Sequence, residues 1–157
     1  MLLFSSLLPI KPSRRLTQAE REKFTLAAEL KEITVGLMLG DLYTRKRSST
    51  GNVSLDFEQG TIHKDYLEHL YKLYKRYCLS ALRIKTKISN RLDKRTGKVH
   101  SSIRFSTYSL PCFNELYDLF YQNGLKIVPL NIADLLTPLG LAYWVFDDGR
   151  VLTKDIE

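Results

Sequence analysis

No apolar run in this 157-residue chain approaches the roughly 18 residues that a membrane-spanning helix needs, so no membrane partner is expected. Cysteine is scarce. Cys78 and Cys112 lie far apart and form no CxxC pair, and both read as free, buried thiols of a reducing compartment. No low-complexity tract and no short repeat interrupts the chain, and an apolar content of 44% sets most of it apart from disordered sequences. Acid is in the minority. Seventeen Asp and Glu stand against 24 Lys and Arg, a net charge of +7. That excess favours a polyanionic partner such as nucleic acid, although a merely basic soluble protein accounts for the charge about as well. The length suits one domain with a real core.

What is present begins ambiguously. The opening MLLFSSLLPIKPSRRL is apolar and basic, with no acid before Glu20. It fits an organelle transit sequence, a frayed tail or leftover reading frame. A secretory signal is a poorer fit, because the positive charges follow the apolar run. Thr17 to Glu20 has capping-box spacing. From about Ala27 to Gly40, Leu30, Ile33, Leu37 and Met38 recur at helical spacing, and the second half is apolar all round, as in a buried helix. LYTRKRSSTGNVSLDFEQ reads as two strands and a turn, with Val53, Leu55 and Phe57 on the buried face. Residues 61–79 read as an amphipathic helix with Ile62, Tyr66, Leu70, Leu73 and Tyr77 inward. Two strands follow, over 82–89 and 98–107, joined by the basic turn NRLDKRTGK. A helix is expected over about 111–122, NGLKIVP as a loop, and a last helix from Pro138 to a terminating Gly149. The order predicts an α+β domain: an antiparallel four-stranded sheet with helices on one face.

Two patterns carry chemistry. Arg83, Lys85 and Lys87 alternate on one strand, and Lys98 and Arg104 can share their face from the next. Arg45 and Arg47, at the end of the first strand, join this candidate DNA-binding set. Arg and Lys on a two-stranded ribbon can reach guanine edges and phosphates in a major groove, and phosphate contacts imply strong salt dependence. A solvated strand face is the plainer alternative.

The second pattern is a pair of apolar helices that end in acids, GLMLGD and GLAYWVFDD. A carboxylate at a helix C-terminus is opposed by the helix dipole. Gly36 and Gly40 lie on one face and admit a second backbone, with Ala142 as the small residue expected on the partner helix. Parallel packing would bring Asp41 and Asp148 together. A divalent cation resolves the repulsion between two acids and two negative helix ends, and oxygen ligands point to Mg²⁺. Such a site can activate water for phosphodiester cleavage.

VGLMLGDLY and LAYWVFDDG resemble the two motifs of LAGLIDADG homing endonucleases, in the single-chain, two-motif branch. Gly36, Gly40 and Asp41 match the third, seventh and eighth motif positions, and Leu141, Ala142, Asp148 and Gly149 match the first, second, eighth and ninth of the second copy. The resemblance covers roughly residues 26–149, preceded by an N-terminal extension (1–25) and followed by the start of a second half (150–157). It implies cleavage of long double-stranded DNA sites at intron-insertion points, with Mg²⁺, or Mn²⁺ in its place, held by Asp41 and Asp148 and aided by the carbonyls of Gly40 and Asp147. It also implies an active-site lysine at Lys126, which would stabilise phosphate charge or polarise a water network. Members of this branch act as monomers and are commonly encoded in organelle introns, which points to the mitochondrion.

Two-motif members continue with a second sheet after the second helix, and RVLTKDIE does not supply one. The expectation is a C-terminally truncated frame or one piece of a split protein, with apolar residues of the second helix partly in water and self-association as a consequence. An intron RNA-binding maturase, or a decayed inactive remnant, is the alternative to an endonuclease.

Overall fold

The structure is a computed structural model that describes residues 15–79 and 88–148. Six α-helices and six strands run through these residues, besides short 3₁₀ turns: α1 Gln18–Glu22, α2 Ala28–Leu39, β1 Tyr43–Lys46, β2 Val53–Gly60, α3 Lys64–Tyr74, β3 Ile88–Leu92, β4 Val99–Ser106, α4 Asn114–Phe120, β5 Tyr121–Gln122, β6 Leu125–Lys126, α5 Ile132–Leu135 and α6 Pro138–Asp148. None of the helices is long and apolar enough to cross a membrane.

Helix α1 starts on the expected capping box. Thr17 Oγ1 accepts from the Glu20 N–H at 3.2 Å, and the Glu20 carboxylate accepts from the Thr17 N–H at 2.7 Å. Arg21 ties this helix to the body by donating to the Ser109 carbonyl at 2.5 Å. Phe24 packs beside Tyr77 and Tyr108, so the N-terminal extension reaches the core from Leu16 onward.

Helix α2 is buried from Ile33 to Met38, as an apolar helix without a polar face must be. Its one buried hydroxyl is satisfied twice: Thr34 Oγ1 lies 2.6 Å from both the Leu30 carbonyl and Tyr74 OH.

The sheet is antiparallel with strand order β1-β2-β4-β3. Val53, Leu55, Phe57 and Phe105 enter the core, where the rings of Phe57 and Phe105 stack with centroids 4.5 Å apart. Helix α3 packs on β2 and β4 through Leu67, Leu70 and Tyr74, leaving the opposite face of the sheet to solvent. Cys78 is buried and Cys112 half-buried. Both are free thiols, and burial pushes their pKa values up to about 12 and about 11.

Three details depart from the sequence pattern. The helix expected over 61–79 is α3 flanked by 3₁₀ turns, and Ile62 is 88% exposed instead of inward, because it sits in the first of those turns. The connection before β4 is shorter than expected. Asn90–Leu92 are strand, paired with Val99–Ser101, and only 93–98 turn, closed by Asp93 N–H to the Lys98 carbonyl at 2.8 Å. The outer part of this ribbon projects past the core, so Val99, expected inward, is 62% exposed. Finally, Gln122–Leu125 form a tight hairpin between β5 and β6. Asn123 (φ 53°) and Gly124 (φ 76°) are both left-handed, as a type I′ turn requires. The remainder of the expected third strand, with Arg83, Lys85 and Lys87, lies outside the described residues, as do Gly149 and the final residues.

Candidate active site

The site lies where the C-termini of α2 and α6 converge. The two helices run in parallel and meet first at Gly36, where a Cβ would overlap the Gly140 carbonyl carbon at 2.7 Å. A Cβ on Gly140 would in turn meet the Glu32 carbonyl at 2.8 Å. The small residue of α6 at this crossing is therefore Gly140, not Ala142, which lies half-buried further along the helix. The correction is geometric: only backbone can occupy the space between these helices, and even an alanine methyl is too large for it.

One turn on, Gly40 faces Asp147, whose carboxylate fills the space a side chain at residue 40 would need. Asp147 Oδ2 accepts from the backbone N–H of Asp41 at 2.5 Å, and Oδ1 accepts from Gln59 Nε2 at 3.2 Å and from Tyr66 OH at 3.4 Å. Asp147 was expected to contribute only its carbonyl, yet its side chain is what turns into the helix pair. The Asp148 carboxylate instead accepts from its own helix, from Trp144 Nε1 at 3.2 Å, and is exposed like that of Asp41.

Lys126 arrives from the β5–β6 hairpin. Its Nζ donates to the carbonyls of Gly40 and Leu42, each at 2.8 Å. Neither α2 nor α6 has a basic residue in its last turn. Lys126 therefore supplies the positive charge that the end of α2 lacks, on the carbonyls a helix terminus leaves unpaired. Residue 41 is held from both sides: its N–H by Asp147, the carbonyls flanking it by Lys126.

The electrostatics follow from this crowding. Burial pushes the Asp147 carboxyl up to about 6, and the charges of Asp41 and Asp148 push the same way, against the hydrogen bonds from Asp41 N–H and Tyr66. Burial lowers the Lys126 ammonium while Asp147, Asp41 and Asp148 raise it. The residue as a whole is exposed, but its ammonium end sits among these acids, and it is the ammonium that titrates. Burial, then the charge of Asp147, raises Tyr66.

Among the described residues, no group of three or more His, Cys, Asp or Glu side chains is arranged to hold a metal. The donors at the helix ends, the Asp41 and Asp148 carboxylates with the Gly40 and Asp147 carbonyls, are all oxygens, which suits a hard dication.

From Asp41 a groove of about 780 Å³ runs across the solvent face of the sheet, lined by Tyr43, Arg45, Arg47, Asp56, Glu58 and Arg104 among others. This face is mixed rather than uniformly positive. Arg45 pairs with Asp56 at 2.9 Å, and Glu58 stands opposite Arg104 in register while accepting from Ser102 Oγ at 2.5 Å. Lys98 is exposed in the turn before β4, away from the residues that line this groove. Arg91 and His100, an opposed pair on β3 and β4, are further exposed groups on the ribbon that the sequence pattern assigned to no site or only to a face.

A four-stranded antiparallel sheet whose open groove leads to acids at the ends of two closely packed helices defines the architecture of a homing endonuclease. The chain belongs to the LAGLIDADG DNA endonuclease family, whose family model matches residues 31–157. It is 35% identical over 135 residues to the cytochrome b mRNA maturase bI2 of Debaryomyces hansenii, across 84% of this chain and 50% of that protein. It is 31% identical to DNA endonuclease I-ChuI of Chlamydomonas applanata, across 81% of this chain and 60% of that one. Among solved structures it resembles the homing endonuclease I-WcaI bound to its DNA recognition sequence, with a TM-score of 0.74 at 27% identity, covering 91% of this chain and 61% of that one. The chain thus spans about half to three fifths of the length of these relatives.

Proposed function

We propose that this chain carries the catalytic centre of a site-specific, intron-homing endonuclease that hydrolyses phosphodiester bonds of double-stranded DNA. What supports the reading is the convergence of the C-termini of α2 and α6, where the Asp147 carboxylate accepts from the Asp41 N–H and Lys126 donates to the Gly40 carbonyl. Asp41 and Asp148, with the carbonyls of Gly40 and Asp147, would hold Mg²⁺, or Mn²⁺ in its place. When bound, the ion would lower the pKa of a water and take charge from the leaving oxygen. Lys126, whose ammonium donates to the Gly40 and Leu42 carbonyls, would meet phosphate charge. Arg45, Arg47 and Arg104 line the groove that leads to Asp41, and we assign them to the DNA backbone and base edges. Arg83, Lys85, Lys87 and Lys98 are assigned to the same duplex from their sequence pattern. The solved relative with DNA in its name supports that partner, and the cytochrome b relative supports an origin in a mitochondrial intron.

The test is cleavage of intron-less host-gene DNA with Mg²⁺. Wild type should cut at one site, and Asp41→Asn and Asp148→Asn should abolish cutting. Cleavage that persists unchanged in both variants would falsify the assignment. A second reading, an intron RNA-binding maturase, is favoured by the similarity to maturase bI2. Tight binding of the host intron RNA without nicking of any DNA would select it.

A further inference from the structure

The carboxylate of Asp147 is the hub of four elements. It sits on α6, touches the end of α2 through the Asp41 N–H, and is approached from β2 by Gln59 and from α3 by Tyr66. The two oxygens have separate tasks. Oδ2 is committed to the Asp41 N–H at 2.5 Å, a charge-assisted bond. Oδ1 takes both side-chain donors, at 3.2 Å and 3.4 Å. A carboxylate is planar, so fixing Oδ1 from two directions fixes the direction of Oδ2. Tyr66 and Gln59 are both half-buried, and Tyr66 OH has Asp147 Oδ1 as its hydrogen-bond acceptor. Gly40 completes the arrangement, since any side chain there would collide with the carboxylate.

We propose that Gln59 and Tyr66 are positioning residues: they aim the Asp147 carboxylate so that it holds the main chain of Asp41 and thereby the direction of the Asp41 side chain. The inference rests on the endonuclease reading for its consequence, a preformed metal site, but its geometry is independent of that reading. Both side chains reach the site through Asp147 Oδ1. Their effect passes through Asp147 to Asp41, as outer-shell partners act on metal ligands elsewhere.

The experiment uses the full chain with Tyr66→Phe, Gln59→Leu and the double variant. Tyr71→Phe serves as control, because Tyr71 is half-buried on the same helix and packs on Phe105. Two readouts are taken: the ¹H–¹⁵N resonance of the Asp41 amide, and Mn²⁺ affinity by titration calorimetry, with thermal melting to confirm folding. The Asp41 amide proton, deshielded by the carboxylate in wild type, should move upfield in each single variant and further in the double. Mn²⁺ should bind about tenfold more weakly. The control should change neither. An Asp41 amide that stays in place in both single variants overturns the proposal, as does an amide that moves with no loss of Mn²⁺ affinity. Wild type that binds no Mn²⁺, while its Asp41 amide responds to the variants, sinks the endonuclease reading and leaves the positioning supported.

Discussion

Asp147 holds its proton more tightly in the folded chain than a carboxylate does in water. Its pKa is pushed up to about 6, above the ordinary 3.8, because burial and two neighbouring acids disfavour its charge. The sign of the linkage follows. A group whose pKa rises on folding contributes stability that is fully present below its unfolded value and lost as pH rises through the folded one. Wild type should therefore gain melting temperature relative to Asp147→Asn as pH falls from about 7.5 to about 5. Melting curves that stay parallel over that window would contradict it. The pair Asp147–Asp148 also marks a limit of one-dimensional reading. Motif position identifies Asp148 as the acid equivalent to Asp41, and helical spacing places both acids at the end of α6. Which carboxylate turns inward depends on where Gly40 leaves room and where Gln59 and Tyr66 offer donors. Those residues come from β2 and α3 and carry no local signal of their role.

The crossing of α2 and α6 is the element on which the site depends, and it tolerates no side chain. Gly36→Ala would force its methyl into the Gly140 carbonyl, and backbone cannot rotate away as a side chain can. We expect a loss of about 3 kcal/mol, the upper range for overpacking. Denaturant titration of the variant measures it, and a change under about 0.5 kcal/mol, as for an ordinary surface substitution, would show that the helices separate easily. Much of this element level was legible in the sequence. The apolar run of α2, the alternation of β2 and the cap at Thr17 obey local rules, and the acids at both helix ends stand out by breaking one. The glycine that α6 brings to the crossing lies two residues before the expected Ala142, since Gly140 precedes the motif and its partner is chosen by the helix crossing angle. The hairpin that delivers Lys126 was expected only as a loop, within NGLKIVP. Asn123-Gly124 is a strong type I′ signal, but the strands flanking it are only two residues each and show no alternation. The exposure of Val99 and Ile62 was not legible, because alternation and helical spacing say which face a residue takes and not whether anything covers that face.

At the scale of the molecule, one sheet supplies the groove and two helix ends supply the acids, and β2 links them: its outer residues Asp56 and Glu58 line the groove while Gln59 reaches Asp147. Leu141, Val145 and Phe146 of α6 and Leu125, Val128 and Leu130 near the hairpin are exposed. The conflict of like charges at the helix ends is only partly relieved by Lys126, which neutralises carbonyl dipoles and sits among three acids. A divalent cation at the paired helix ends would complete this balance. Fe²⁺ bound in place of Mg²⁺, supplied with hydrogen peroxide and ascorbate, reduces the peroxide to hydroxide and a hydroxyl radical that cuts the polypeptide beside the metal, and mass spectrometry locates the cuts. With the cation held there, cleavage should be suppressed by Mg²⁺, confined to the neighbourhoods of Asp41 and Asp148 and lost in Asp41→Asn; cleavage elsewhere, or cleavage at these positions that survives the substitution, would contradict a cation site at the helix ends.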